Sequence, residues 1–218
     1  MEFRQLFKNI YFFEQCEVGP FHSFSYIIGC QNTKKACLID PGWEPHTFQS
    51  ILKRAKLKLH SILLTHHHPD QTQAVLDFIL ENDPFIYLYE SQVSEWQHLS
   101  HKVKGVKDKD HVEVGHLTFQ VHHTPGHTLD SLCFELEDKL FTGDTLQVEN
   151  VGRCDLPESD ATLLYQSLYE KIKSFLPSLK VYPGHHYGPH PHSTLQNEFQ
   201  KNPYLQFKSL EEFIRFRK

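Results

Sequence analysis

The stretch Thr65-His66-His67-His68-Pro69-Asp70-Gln71 constrains this chain more than any other. It follows Ser61-Ile62-Leu63-Leu64, an apolar run that reads as a buried strand. It precedes a segment with helical spacing of apolar residues at Ala74, Val75, Phe78 and Ile79. A strand that ends in His-x-His-x-Asp drops two imidazoles and a carboxylate into one tight turn. Zinc or Fe(II) accepts that mixture of nitrogen and oxygen donors. A solvated His-rich loop is the other reading of a single motif of this kind. Three later segments repeat the pattern of strand, Gly turn and metal-competent residue: Thr124-Pro125-Gly126-His127-Thr128, Phe141-Thr142-Gly143-Asp144-Thr145 and Val181-Tyr182-Pro183-Gly184-His185. Four such strand ends in one chain are hard to explain as accident.

At 218 residues the chain fits a single domain, residues 1–218, long enough to bury a core without disulfides. Its net charge of −5 and the lack of a Lys/Arg run argue against a nucleic-acid partner, which demands a basic face. Seventeen histidines exceed what a metal site needs, so most serve elsewhere. The five cysteines (Cys16, Cys30, Cys37, Cys133 and Cys154) are odd in number and contain no C-x-x-C pair, which fits free thiols in a reducing compartment. The segment Met1–Lys8 carries no apolar run of signal-peptide or membrane-span length. The expectation is a cytoplasmic protein with no membrane association, which disfavours a secreted antibiotic-degrading role.

The element order is legible from periodicity. Phe24–Ile28 and Ala36–Ile39 read as antiparallel strands around a turn at Gly29–Lys35, the second ending in Asp40-Pro41-Gly42-Trp43. Asp40 is either a turn former or a partner that fixes the tautomer of a ligand histidine. A helix is expected over Pro45–Ala55, a strand over Ser61–Leu64, a helix over Gln71–Leu80 and a strand over Phe85–Tyr89, an alternation that implies parallel pairing. Glu90–Asp110 is polar and Lys-rich and reads as a surface excursion near the site mouth, with a short helical piece at Val93–Leu99. From His111 the period becomes two: a hairpin around Gly115, then strands Leu132–Leu136 and Lys139–Thr142. A helix over Asp160–Leu176 and a strand over Lys180–Tyr182 follow, and residues 191–218 read as a tail of short amphipathic helices. Two similar halves packed sheet to sheet, with helices outside, satisfy this order.

Six residues are of ligand grade. His66, His68 and His127 supply three neutral imidazoles, a set that holds catalytic zinc and leaves a position open for water. Asp70, Asp144 and His185 form a harder set suited to a second metal, with Asp144 able to bridge. A bridged pair lowers the pKa of bound water from 15.7 toward about 7.

The ordered motifs at Thr65–Asp70, Thr124–Thr128, Thr142–Thr145 and Pro183–His185 resemble those of the metallo-β-lactamase fold superfamily, over about residue 20 to the end of the chain. Gly143 through Pro157, Tyr182–Gly188 and Asn202-Pro203-Tyr204-Leu205 are similar to its glyoxalase II and persulfide dioxygenase branch. The resemblance implies an α/β fold, a four-layer αββα sandwich with the metals at one edge between the sheets. For glyoxalase II-like members it implies hydrolysis of a glutathione thioester by metal-bound hydroxide.

Two departures stand out. The family's turn usually reads His-x-His-x-Asp-His, and here Gln71 takes the last place. An amide oxygen is a poorer zinc ligand than imidazole, which leaves three readings: a weaker second metal, a single metal with Asp70 as general base, or compensation by His67 or His186. One tight zinc site and one weak or empty site is the preferred expectation. Glyoxalase II enzymes also carry a helical C-terminal domain whose basic residues grip glutathione, and this chain stops soon after the last motif. Arg153 is then the best cation for an anionic substrate, unless it forms a salt bridge with Asp155 or a helix end. Tyr187 is a candidate substrate contact or a cap on the core edge.

The leading expectation is a metal-dependent thioester hydrolase acting on a small thiol-derived conjugate. The runner-up is a mononuclear non-haem iron dioxygenase for persulfides, with Fe(II) on His66, His127 and Asp144. It lacks, around Phe21–Tyr26, the Ser-Thr-Tyr-Thr-Tyr-like signature associated with that group. A metal-bound, non-catalytic module is the third reading. A nuclease is disfavoured by charge and by the missing extra domain. Relatives of this kind often form dimers; a homodimer interface would be sought on the tail helices.

Overall fold

The computed structural model describes residues 11–217; the segment Met1–Lys8 discussed above lies outside them. The first sheet holds β1 (Tyr11–Val18), β2 (Ser23–Cys30), β3 (Lys35–Ile39), β4 (Lys58–Leu63), β5 (Phe85–Tyr89) and β6 (Val103–Val106) in chain order. Its first two pairings are antiparallel and the remaining three parallel. The second sheet runs β12-β11-β10-β9-β8-β7: β7 (His111–Val114), β8 (Leu117–His123), β9 (Leu132–Leu136), β10 (Lys139–Gly143), β11 (Lys180–Pro183) and β12 (Ser193–Thr194). It too opens with antiparallel hairpins and then turns parallel, at β10–β11.

Period-two patterning assigns the layers. Along β2 and β3, Phe24, Tyr26, Ile28, Cys37 and Ile39 face Val112, Phe119, Val121, Phe134 and Phe141 of the other sheet. Their neighbours Ile27, Ala36 and Leu38 point the other way, onto Phe48, Ile51 and Leu52 of α1 (Pro45–Arg54) and Val75 and Phe78 of α3 (Val75–Asn82). Both faces of these strands are therefore buried, which is why they read as apolar runs and not as alternation. On the far side, Leu140 and Val181 pack under Leu164 of α5 (Ala161–Gln166), Leu195 of α6 (Leu195–Lys201) and Phe213 of α7 (Leu210–Arg217). The result is the expected four-layer αββα sandwich.

Several expectations need correction. The helix expected over 71–80 is two pieces, α2 (Pro69–Thr72) and α3, because the Ala74 N–H bonds Pro41 O and leaves the helical ladder. Glu90–Asp110 is no excursion at the site. It carries α4 (Val93–Trp96) and then β6, an edge strand whose Lys-bearing sequence hid its pairing with β5. The helix expected over 160–176 starts as α5, capped by Asp160 Oδ1 from Thr162 and Leu163 N–H, and widens to a π turn at Ser167–Lys171. Ser167 Oγ donates to Pro125 O (2.7 Å) and Lys171 Nζ to His123 O (2.7 Å), so the widened turn grips the loop that follows β8. The tail carries the expected short helices, α6 and α7, and is built into the second sheet, since β12 pairs with β11 and Phe213 is fully buried. All five cysteines are free thiols. Among the described residues no helix is long and apolar enough to cross a membrane.

Ties between the sheets fix the strand ends where the motifs lie. Leu132 N–H donates to Thr65 O (2.7 Å), Phe24 N–H to Gly184 O (2.7 Å), and the Tyr26 hydroxyl, wholly buried, to Pro183 O. Tyr26→Phe removes this hydroxyl donor from a buried carbonyl. Urea denaturation is expected to show a loss of about 1–3 kcal/mol with the fold retained; an unchanged midpoint would mean this tie contributes nothing.

Candidate metal centre and substrate cavity

All four sequence motifs arrive at one edge, where β4, β8, β10 and β11 end between the sheets. The turn after β4 presents His66 and His68, and the loop after β8 presents His127. The donor nitrogens of these three lie within 4.8 Å of one another. Their rings meet edge to face, with centroids 4.7–4.9 Å apart.

Outer partners set each imidazole's tautomer. Thr65 N–H and Oγ1–H both donate to the buried Asp40 carboxylate (2.7 Å each), so Thr65 Oγ1 is left to accept from His66 Nδ1–H (3.0 Å). His66 Nε2 then carries the lone pair, and it is buried without a hydrogen-bond partner. His127 Nδ1–H donates to Arg153 O (2.8 Å), freeing its Nε2. His68 turns Nε2 to Glu158 Oε1 (3.4 Å) and Nδ1 to the cluster, 3.0 Å from His127 Nε2. Burial and the neighbouring His127 and His68 drive His66 down to about 3 against the pull of Asp144, so it is neutral at physiological pH. Burial, with His127 and His67 nearby, also lowers His68. Burial pushes Asp40 up to about 7 despite the two Thr65 donors.

Asp144 and His185 stand on the adjoining side. Asp144 Oδ2 is 3.5 Å from His127 Nε2 and 3.4 Å from His185 Nε2, and its Oδ1 is buried without a partner. Gly184 permits this approach, because a Cβ there would lie 2.3 Å from Asp144 Oδ1. His185 Nδ1–H donates to Phe21 O (3.0 Å), and its Nε2 sits 3.1 Å from Asp70 Oδ2. Burial works against the charge on His185, yet Asp144 and Asp70 push it up to about 11. Burial likewise opposes the ionised Asp144, which His185, His127 and His66 hold far below the usual carboxylate range. Asp70 is also lowered, its burial outweighed by His185. Two carboxylates with so little water demand a positive charge between them. A proton on His185 supplies it unless a metal cation does. Three convergent imidazoles, an orphaned His66 Nε2 and an orphaned Asp144 Oδ1 fit a bound metal ion.

Gln71 is fully buried, with Nε2 donating to Gly184 O (3.0 Å) and lying 3.1 Å from His185 Nε2. His67 and His186 do not take the missing imidazole's place. His67 Nδ1 pairs with Asp130 (2.7 Å) and His186 Nδ1 with Glu17 (2.7 Å), while His67 also lies with His68 and Glu158 in a second group whose ligand atoms are within 4.8 Å of one another.

The centre opens into a cavity of about 670 Å³. Arg153 and Tyr187 both line it. Arg153, however, is bound bidentately by Asp155 (2.7 and 2.9 Å), and Tyr187 stacks on His185 at 4.6 Å. Sequence reasoning missed Phe21 and Gln73 as lining residues and named no role for Gln147, Asn150, Val151 and Leu156, which lie in the Gly143–Pro157 stretch that the resemblance marked. Phe21 and Gln73 carry no motif and reach the lining only through loop packing. Tyr204 lies in the Asn202–Leu205 stretch, which the resemblance did mark. The loop bearing Gln147 and Asn150 is clamped from below. Asn202 Nδ2 donates to Asn150 O (2.9 Å) and to the fully buried Glu198 Oε2 (2.9 Å), which also accepts from Glu149 N–H (2.8 Å).

Comparison with known proteins agrees with this geometry. Residues 18–185 match the family model of the metallo-beta-lactamase superfamily. The chain is 29% identical over 196 residues to a probable polyketide biosynthesis zinc-dependent hydrolase, PksB, of Bacillus subtilis, covering 89% of this chain and 87% of that protein. It is 33% identical over 179 residues to a probable hydroxyacylglutathione hydrolase of Schizosaccharomyces pombe, covering 78% of this chain and 66% of that one. The crystal structure of ETHE1 from Myxococcus xanthus superposes with a TM-score of 0.87 at 32% identity, covering 94% of this chain and 89% of that one. Motifs, sandwich and matched model converge: the chain belongs to the metallo-beta-lactamase superfamily.

Proposed function

We propose that this chain is a metal-dependent thioester hydrolase whose single tight metal is held by His66, His68 and His127, with Asp144 beside it. The observation that carries the reading is the convergence of three imidazole donors, one of them orphaned, at the base of a cavity of about 670 Å³. A divalent ion there, zinc by preference, supplies Lewis-acid charge that polarises a thioester carbonyl and acidifies a nearby water. Asp70 lines the cavity as a carboxylate and takes the water's proton on an oxygen facing the cavity. The C–O bond to the carbonyl carbon forms and the C–S bond breaks, its electron pair leaving on the thiolate. One water is consumed, and a carboxylate and a thiol are released. Thiolate is a good leaving group, so little acid catalysis is needed.

Gln71 supports one metal over two. Gly184 O accepts only from the amide nitrogen, which fixes the side chain with an N–H donor, not a ligand lone pair, beside His185 Nε2. A second reading, iron-dependent oxygenation of a persulfide on His66, His127 and Asp144, draws on the likeness to the ETHE1 structure over most of the chain.

Protein purified without added metal is expected to hold about one equivalent. Gln71→His should raise it toward two by elemental analysis, and unchanged stoichiometry would count against this account of position 71. Asp40→Asn replaces an acceptor with a donor facing Thr65 Oγ1, which disturbs the proton order that fixes His66. Chelator competition should show metal affinity weakened by about 10–100-fold; wild-type affinity would refute the relay. Loaded enzyme is expected to release thiol from a thioester without consuming oxygen. Oxygen uptake with glutathione persulfide and no thiol release would replace this reading with the second.

A further inference from the structure

We propose that the thiol half of the substrate is an uncharged, amide-bearing arm, the chemistry of a pantetheine thioester, and not a glutathionyl group. This rests on thioester hydrolysis as the reaction. A glutathionyl group carries two carboxylates and one ammonium, so binding it requires cations beyond the metal centre. Among the described residues, the cavity lining holds one fixed cation, Arg153. Its Nε and an Nη already meet the two Asp155 oxygens at 2.7 and 2.9 Å. An exposed pair of this kind is readily exchanged, so the firmer constraint is number: one guanidinium faces two substrate carboxylates. Asp155 and Glu158, the latter 3.4 Å from His68 Nε2, add negative charge near the cavity.

What the cavity does offer suits a neutral arm. The uncharged polar residues Gln73, Gln147 and Asn150 line it, Asn150 Oδ1 accepting from Val151 N–H (2.9 Å). The Glu198–Asn202 clamp holds the backbone of the second and third in place, so ordering that wall costs little on binding. Phe21 and Tyr187 remain 54% and 52% exposed although both are anchored to the centre, Phe21 through its carbonyl on His185 Nδ1 and Tyr187 by stacking on the His185 ring. Fixed, open aromatic faces gain from covering methylene groups and amide planes and gain nothing from carboxylates.

The test uses the metal-loaded full chain and two substrates with the same acyl group, S-lactoylpantetheine and S-lactoylglutathione, followed by thiol release. The expected result is a kcat/KM at least about tenfold higher for the pantetheine thioester, carried mainly by KM. Equal or reversed preference overturns the assignment of the arm and leaves thioester hydrolysis standing. Failure to cleave either substrate overturns the hydrolase reading and this inference with it. Calorimetry of the free thiols gives a readout independent of turnover: pantetheine is expected to bind more tightly than glutathione, and the opposite order refutes the proposal.

Discussion

Thr65 is the point at which fold and chemistry are tied together. Its carbonyl accepts Leu132 N–H from the second sheet, and its amide and hydroxyl both donate to Asp40 at the end of β3. Its oxygen orients His66, and its side chain packs on Gly143, whose φ of +47° and lack of a Cβ let β10 end against it. One residue thus joins two sheets, one ligand-grade imidazole and the strand that delivers Asp144. When Asp40 is ionised it accepts from both Thr65 donors, which leaves Thr65 Oγ1 to accept from His66 Nδ1–H and turns the His66 Nε2 lone pair to the centre. The carboxyl ends of parallel strands are where α/β architectures gather their ligands, and β4 and β10 follow that habit from opposite sheets.

The electrostatics of the centre follow from burial. Neutral His66 sits beside an ionised Asp144 that has almost no water, while Asp144 and Asp70 draw a proton onto His185. The arrangement balances charge at close range: a proton on His185 offsets the two carboxylates, and a cation bound beside Asp144 would compete with it. This coupling is why donor set and metal cannot be discussed separately.

Around that centre the cavity wall is supported by groups far from the chemistry. The π turn of 167–171 holds the His127 loop through Pro125, and the buried Glu198–Asn202 pair holds the loop of Gln147 and Asn150. Neither device touches the centre. Both restrict where its ligands and lining groups can go, so position is supplied by packing and not by local loop preference.

Local chemistry and period carried much of the answer. His-x-His-x-Asp after an apolar strand, and Gly turns before His127, Asp144 and His185, located the edge because a Gly turn at a strand end is a local requirement. The sheet-on-sheet layering was legible from the order of strands and helices along the chain, and the four-layer sandwich from the family resemblance. Other features needed the folded molecule. The pairing of β6, the break at Ala74 and the π turn depend on bonds to residues distant in sequence. The engagement of Arg153 by Asp155 was one of two open alternatives until the side chains were placed. The cavity lining is further still from the sequence: Phe21 and Gln73 share no motif or period with the marked Gly143–Pro157 stretch that supplies Asn150 and Leu156. The chain by itself determined which atoms can bind a metal, since that follows from residue type and spacing. Only the tertiary structure decided which lone pairs face inward and what surrounds them, because tautomer, burial and charge balance are set by partners many residues away.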